Sequence, residues 1–214
     1  MAFRLILLGV SIFFYATNPQ MLTEGWFLWL VWGVLAWGML FRLIPNKKIP
    51  IGARKHNPCS HNPSHGGQKP ANIHKGAVAV ALFWLACVSA AVFVMRLTGF
   101  LNPQTMIILT LALLVLDIAF ILFYCPLQRW FMKNHCCTTC RIYNWDYLMI
   151  AAPLVIFPSF FSISLVILAV AVVVRWETAL ISHPERFSAK TNKNLRCSAC
   201  TDKLCSLNII KKHK

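Results

Sequence analysis

Acidic residues are scarce in this chain: six Asp and Glu in 214 residues, against 21 Lys and Arg. Pairs of carboxylates for acid–base catalysis are correspondingly few. No G-x-S-x-G, H-E-x-x-H, P-loop or dinucleotide fingerprint occurs. None of the seven histidines lies in an apolar run, which argues against a haem held inside a membrane by axial histidines. No large inverted repeat is visible, which argues against a common transporter architecture. These absences point to a non-catalytic protein.

Hydrophobic residues are abundant. They make up 58% of the chain, and the mean hydropathy is +0.61. Soluble domains are roughly 45–50% apolar, so the excess must be buried in something other than a small core. The apolar residues also come in long runs. The segment 106–124 is apolar on every side, whereas a β-barrel strand would alternate. The fold class is all-α: a polytopic integral membrane protein in contact with the lipid bilayer. The formal charge of +15 falls mainly in connections and tail, where the positive-inside rule accounts for most of it. No basic-aromatic module accompanies the charge, so no nucleic-acid partner is expected.

Six regions follow along the chain. Residues 1–44 hold two apolar helices, about 3–17 and 26–44. The first resembles an uncleaved signal anchor, with Arg4 ahead of its apolar run and no small-x-small cleavage site after it. Residues 45–75 form a basic loop containing His and Cys. Residues 76–124 hold two more helices, the second starting near Asn102-Pro103. Residues 125–146 form a Cys-rich loop. Residues 147–174 are apolar but contain Pro153 and Pro158, and 175–214 are a basic Cys-rich tail.

Residues 147–174 decide the topology. One straight helix of that length would be about 40 Å long, against a hydrocarbon core of about 30 Å. A single crossing would also leave the basic tail opposite the basic loops. A hairpin bent near Pro158-Ser159 keeps the N-terminus, both basic loops and the tail on the cytoplasmic side. The expectation is therefore about six passes, the last two forming a short Pro-broken hairpin.

The chemistry concentrates in cysteine. Six of the nine cysteines fall in two clusters, Cys136, Cys137 and Cys140, and Cys197, Cys200 and Cys205. Each cluster has a C-x-x-C step, which lets two thiolates from one turn reach a single metal ion. Cys137, Cys140, Cys197 and Cys200 would close a four-sulfur site, with Cys136 and Cys205 as alternates. Four sulfurs suit zinc and suit an iron–sulfur cluster equally well. A reducing compartment disfavours disulfides there. Nearby Lys133, Arg141 and Arg196 favour the thiolate.

Three other features stand out. His56, Cys59, His61 and His65 form a candidate second metal site in a Pro- and Gly-rich loop. Asp117 stands in the fourth apolar helix, where a carboxylate costs roughly 2.5–3.5 kcal/mol on insertion scales, and is a candidate proton or ion site. No basic residue is evident at its depth; a hydrogen bond to Ser89 or Thr110 is the plainer use. Trp26, Trp29, Trp32 and Trp37 share a broad face of the second helix, as membrane anchoring requires. Cys87 reads as a small buried apolar residue.

The functional expectation is an accessory or anchoring subunit with protein partners in a membrane complex. Its cysteine-ligated metal, zinc favoured, joins the 125–146 loop to the tail. Two alternatives stand beside it: an iron–sulfur subunit that uses the same cysteines and passes electrons to a quinone or redox partner, and a metal-ion transporter with the His56–His65 loop as acquisition arm and Asp117 on its path.

Overall fold

The computed structural model describes residues 1–44, 55–56, 58, 61–63, 76–132, 140–196 and 198. Among these, the regular elements are all helical. Helix α1 spans Ala2–Thr17, α2 is the single turn Gln20–Thr23, and α3 spans Trp26–Leu43. Helix α4 is Ala77–Leu97 and α5 is Pro103–Leu122. After a π-helical turn at Gln128–Met132 and a 3-10 segment at Arg141–Trp145 come α6, Asp146–Ala151, and a second 3-10 segment, Ala152–Ile156. Helix α7 then runs Phe160–Ser182, past the start of the basic stretch at Arg175.

Four of these helices, α3, α4, α5 and α7, are long and apolar enough to cross a membrane. At 1.5 Å per residue they measure about 27 to 35 Å, which matches a hydrocarbon core of about 30 Å. Helix α1 and the segment Ile142–Ile156 are apolar but shorter. The chain is an all-helical integral membrane protein with apolar faces turned to lipid.

Local sequence explains the helix starts. At α5, Thr105 N–H donates to Asn102 Oδ1 at 2.8 Å while Asn102 N–H donates to Thr105 Oγ1 at 3.2 Å. This reciprocal cap satisfies two donors that a helix start leaves orphaned, and Pro103 at the first turn has no N–H to lose. Helix α7 repeats the device with serines. Ser162 N–H donates to Ser159 Oγ at 3.2 Å, and Ser159 N–H to Ser162 Oγ at 2.7 Å. Pro158 disfavours helical backbone at Phe157, so the helical path breaks here. The break falls where the apolar segment 147–174 was expected to bend.

The chain divides into two compact units. Unit 1 is Met1–Leu40, Ala81–Ala119 and Asp146–Val170; unit 2 is Phe41–Val80, Phe120–Trp145 and Ala171–Lys214. Unit 1 has an apolar core that includes Leu22, Phe27, Leu35, Met39, Met106 and Leu111. Phe14 meets Phe27 edge-on at 5.2 Å, and Trp29 meets Phe161 at 4.7 Å. Gly38 gives the Tyr147 ring room, because a Cβ there would collide with its hydroxyl. Unit 2 has a small core of Trp176, Leu180 and Phe187.

Burial is uneven along the long helices. Of the apolar stretch of α4 only 6% is buried, against 28–33% in α3, α5 and α7. Cys87 lies on α4 and is exposed, not buried as its small apolar side chain suggested. Lipid is as good a solvent for such a residue as a protein core. Trp26, Trp29 and Trp37 are more than half exposed, as anchoring side chains must be.

Candidate functional site

Described residues of three polar connections belong to unit 2, and specific side chains tie them to one another or to the neighbouring helices. The first tie is Asn192, whose side chain is fully buried. Its Nδ2 donates to Lys55 O at 3.1 Å and to Arg186 O at 2.9 Å. Its Oδ1 accepts from Asn194 N–H at 3.1 Å and from Asn62 N–H at 3.4 Å. All four hydrogen-bonding positions of the amide are thereby used. Lys193 N–H adds a bond to Asn62 O at 2.9 Å, and an isolated antiparallel bridge pairs Pro63 with Asn192. The basic loop and the tail are therefore directly joined.

The second tie involves the end of α3. Arg42 Nη1 donates to Asn144 Oδ1 at 3.0 Å, and the guanidinium lies 5.1 Å from the centre of the Tyr143 ring. Both Arg42 and Asn144 are buried. The third tie links the 125–146 loop to α7, where Trp145 Nε1 donates to Glu177 Oε1 at 2.9 Å. Hydrogen bonds to charged groups are worth about 1.5–3 kcal/mol net, more than neutral ones, so both of these ties hold well.

His56 completes this arrangement. Its ring stacks on Phe187 at 4.7 Å and 20°, and meets Trp176 edge-on at 5.1 Å. Its Nδ1 lies 3.3 Å from Arg186 O. The ring is 4% exposed, so His56 is a packed part of unit 2 and not the tip of an open arm. His61 is partly buried, and its N–H donates to Pro58 O at 3.3 Å. Cys59 and His65, the other members of the candidate second metal site, lie outside the described residues.

Of the two cysteine clusters, Cys140 alone is described. It is buried, and its carbonyl accepts from Tyr143 N–H at 3.2 Å. It opens the segment that holds Asn144 and Trp145. Cys136, Cys137, Cys197, Cys200 and Cys205 lie outside the described residues. Cys197 directly follows Arg196, whose Nε donates to Ala189 O at 2.9 Å and whose Nη2 donates to Lys190 O at 3.1 Å. Among the described residues no group of three or more His, Cys, Asp or Glu converges as metal ligands would.

Asp117 is in unit 1, and it has a basic neighbour that the sequence reading missed. Arg4 Nη1 lies 3.1 Å from Asp117 Oδ2 and donates to Leu114 O at 2.8 Å. The side chains are 24% and 17% exposed. Arg4 stands at the unfavourable end of its helix, near the N-terminus of α1, and Asp117 bears the cost of a carboxylate within the apolar helix α5. Their pairing offsets both penalties and fixes α1 against α5. Thr110, the alternative partner considered from sequence, instead donates to Met106 O at 2.9 Å within its own helix.

Unit 1 also contains a cavity of about 450 Å³, lined by parts of α3, α5 and α7 and the turn at 154–159. No Asp, Glu, Lys or Arg lines it.

No protein-family model, curated protein or solved structure matches this chain.

Proposed function

We propose that the protein is a membrane-embedded accessory or anchoring subunit whose polar end forms a docking cap. A cysteine-ligated metal, zinc favoured, joins the 125–146 loop to the C-terminal tail within that cap. The supporting observation is the set of three ties in unit 2. Asn192 joins loop and tail, Arg42 joins α3 to Asn144, and Trp145 joins the Cys140 segment to α7. Cys140 and Arg196, the residue before Cys197, thus belong to one compact unit. Short polar segments of this kind bury little apolar surface, and a structural metal supplies folding energy that they lack.

The six-pass topology has similar support. The turns at 18–25, 98–102 and 157–159 fall in unit 1. The described residues of the 45–75 connection, the 125–145 connection and the tail fall in unit 2. This alternation fits passes by α3, α4, α5 and α7; α1 and the 146–156 arm, the two short passes of this reading, lie wholly in unit 1. The basic character of the unit 2 connections favours the cytoplasmic side for them.

The iron–sulfur alternative uses the same sulfurs, and one experiment separates the two. Metal content is measured by mass spectrometry, with a visible absorption spectrum, on protein purified without oxygen. About one colourless zinc per chain supports the docking cap. Iron with acid-labile sulfide and broad absorption makes the chain an electron-transfer subunit. Replacing Cys137 and Cys140 by Ser removes the metal in either case. Protein without metal contradicts both readings. The transporter reading gains nothing from Asp117, since a cation there would compete with the Arg4 guanidinium.

A further inference from the structure

The cavity in unit 1 has a mouth and a floor. Pro103, Pro158, Ser159 and Phe160 line it and are exposed. Leu35, Met106, Thr110 and Leu165 line it and are at most 3% exposed. The space therefore reaches from the helix starts into the apolar interior of the unit. Its volume of about 450 Å³ lies in the range of ligand pockets, roughly 300–1,000 Å³.

The polar side chains that line it are already occupied. Thr23 Oγ1 donates to Gln20 O at 3.4 Å, Trp32 Nε1 to Ser164 Oγ at 2.8 Å, and Thr110 Oγ1 to Met106 O at 2.9 Å. Ser159 and Ser162 bond each other in the cap of α7, and Ser162 Oγ also bonds Phe157 O at 3.1 Å. A water inside needs two to four polar partners, and the hydroxyl and indole donors here are already given to protein acceptors. No charged residue is present to hold a phosphate or carboxylate. An empty cavity of this size would forfeit the dispersion contacts of its whole lining. For a chain with four helices apolar enough to cross a membrane, bilayer acyl chains are the hydrocarbon at hand.

We infer that this cavity is a binding site for one acyl chain of a bilayer lipid, which enters past Phe160 and ends between Leu35, Thr110 and Leu165. The lipid headgroup stays outside and is not recognised, because the mouth offers no charge. The bound chain becomes part of the packing of α3, α5 and α7. Site occupancy does not depend on the metal or on the cap in unit 2.

The test uses the full chain in vesicles of phosphatidylcholine carrying a photoactivatable diazirine in the middle of one acyl chain. Illumination and peptide mass spectrometry locate the labels. The expected result is labelling of the floor residues Leu35, Thr110 and Leu165 at a level comparable to Ile163 and Ile167, which are exposed on α7. Filling the floor by Thr110→Phe should remove floor labelling and leave Ile163 and Ile167 unchanged. Labels confined to exposed faces in the unaltered protein would overturn the inference, and that arm needs no variant to fold. So would floor labelling that persists in Thr110→Phe and in a second filling variant, Leu165→Phe. Co-purification of about one prenylated quinone per chain, with no floor labelling by the acyl probe, would also overturn it.

Discussion

Units 1 and 2 are held together by different means. Unit 1 relies on helices that satisfy their own backbone, apolar packing around Phe27, Leu35 and Met106, and the Arg4–Asp117 pair. Unit 2 relies on side chains that bond the backbone and side chains of other segments, with Asn192, Arg42 and Trp145 as the ties. The solvent explains the difference. In hydrocarbon every backbone group must be satisfied within its helix, and little polar chemistry is left for joining helices. At a polar end, irregular connections carry unpaired N–H and C=O groups, and specific side chains must find them.

This contrast can be broken from either side. The largest expected effect is on the ion pair. Arg4→Leu leaves the Asp117 carboxylate without its guanidinium and should cost about 3 kcal/mol of stability. Adding Asp117→Leu should recover most of the loss, since replacing both members of a buried pair is often neutral. Chemical unfolding in mild detergent measures both. A double variant no better than Arg4→Leu would show that the pair does not act as a unit.

Asn192→Ala comes next, at about 2–3 kcal/mol, because it removes all four hydrogen bonds of a fully buried side-chain amide. The loss should be local. Hydrogen exchange should accelerate at 55–63 and 184–196 and stay unchanged at 103–119. Acceleration spread equally over both units would erase the distinction between them.

Gly76→Ala should cost about 2 kcal/mol, by the same unfolding measurement. Gly76 has φ +89°, and a Cβ there would strike the Phe131 carbonyl. An effect below that of an ordinary surface substitution would mean that the start of α4 is not fixed. The smallest effect belongs to Trp145→Phe, which removes the donor to Glu177 at about 1.5 kcal/mol. Coupling of this variant to Asn192→Ala in a double-mutant cycle would sharpen the account, showing that the ties of unit 2 act together.

The parts legible in the sequence are those governed by local pattern. Long apolar runs located α3, α4 and α5 within a few residues, and Asn102-Pro103 and Pro158 marked a helix start and a break. Pairings between distant segments were not legible. Arg4 and Asp117 are 113 positions apart. The available signal was two opposite charges, each within an apolar helix, but Arg4 was read only as the flank of a signal anchor. Asn192 sits in a polar tail with no periodicity, so nothing in its neighbourhood marks it as buried. Cys87 failed for a different reason: lipid-facing and core-facing positions have the same apolar composition. His56 read as a candidate ligand in a Pro- and Gly-rich loop, because no local pattern indicates stacking on Phe187.

The claim that a metal joins loop to tail is tested most directly by thiol cross-linking. Purified protein is stripped of metal with a chelator and treated with a short bifunctional thiol reagent, and cross-linked peptides are identified by mass spectrometry. The account predicts links between Cys137 or Cys140 and Cys197 or Cys200, suppressed when the metal is left in place. Links formed only within each cluster, equally with and without metal, would contradict it.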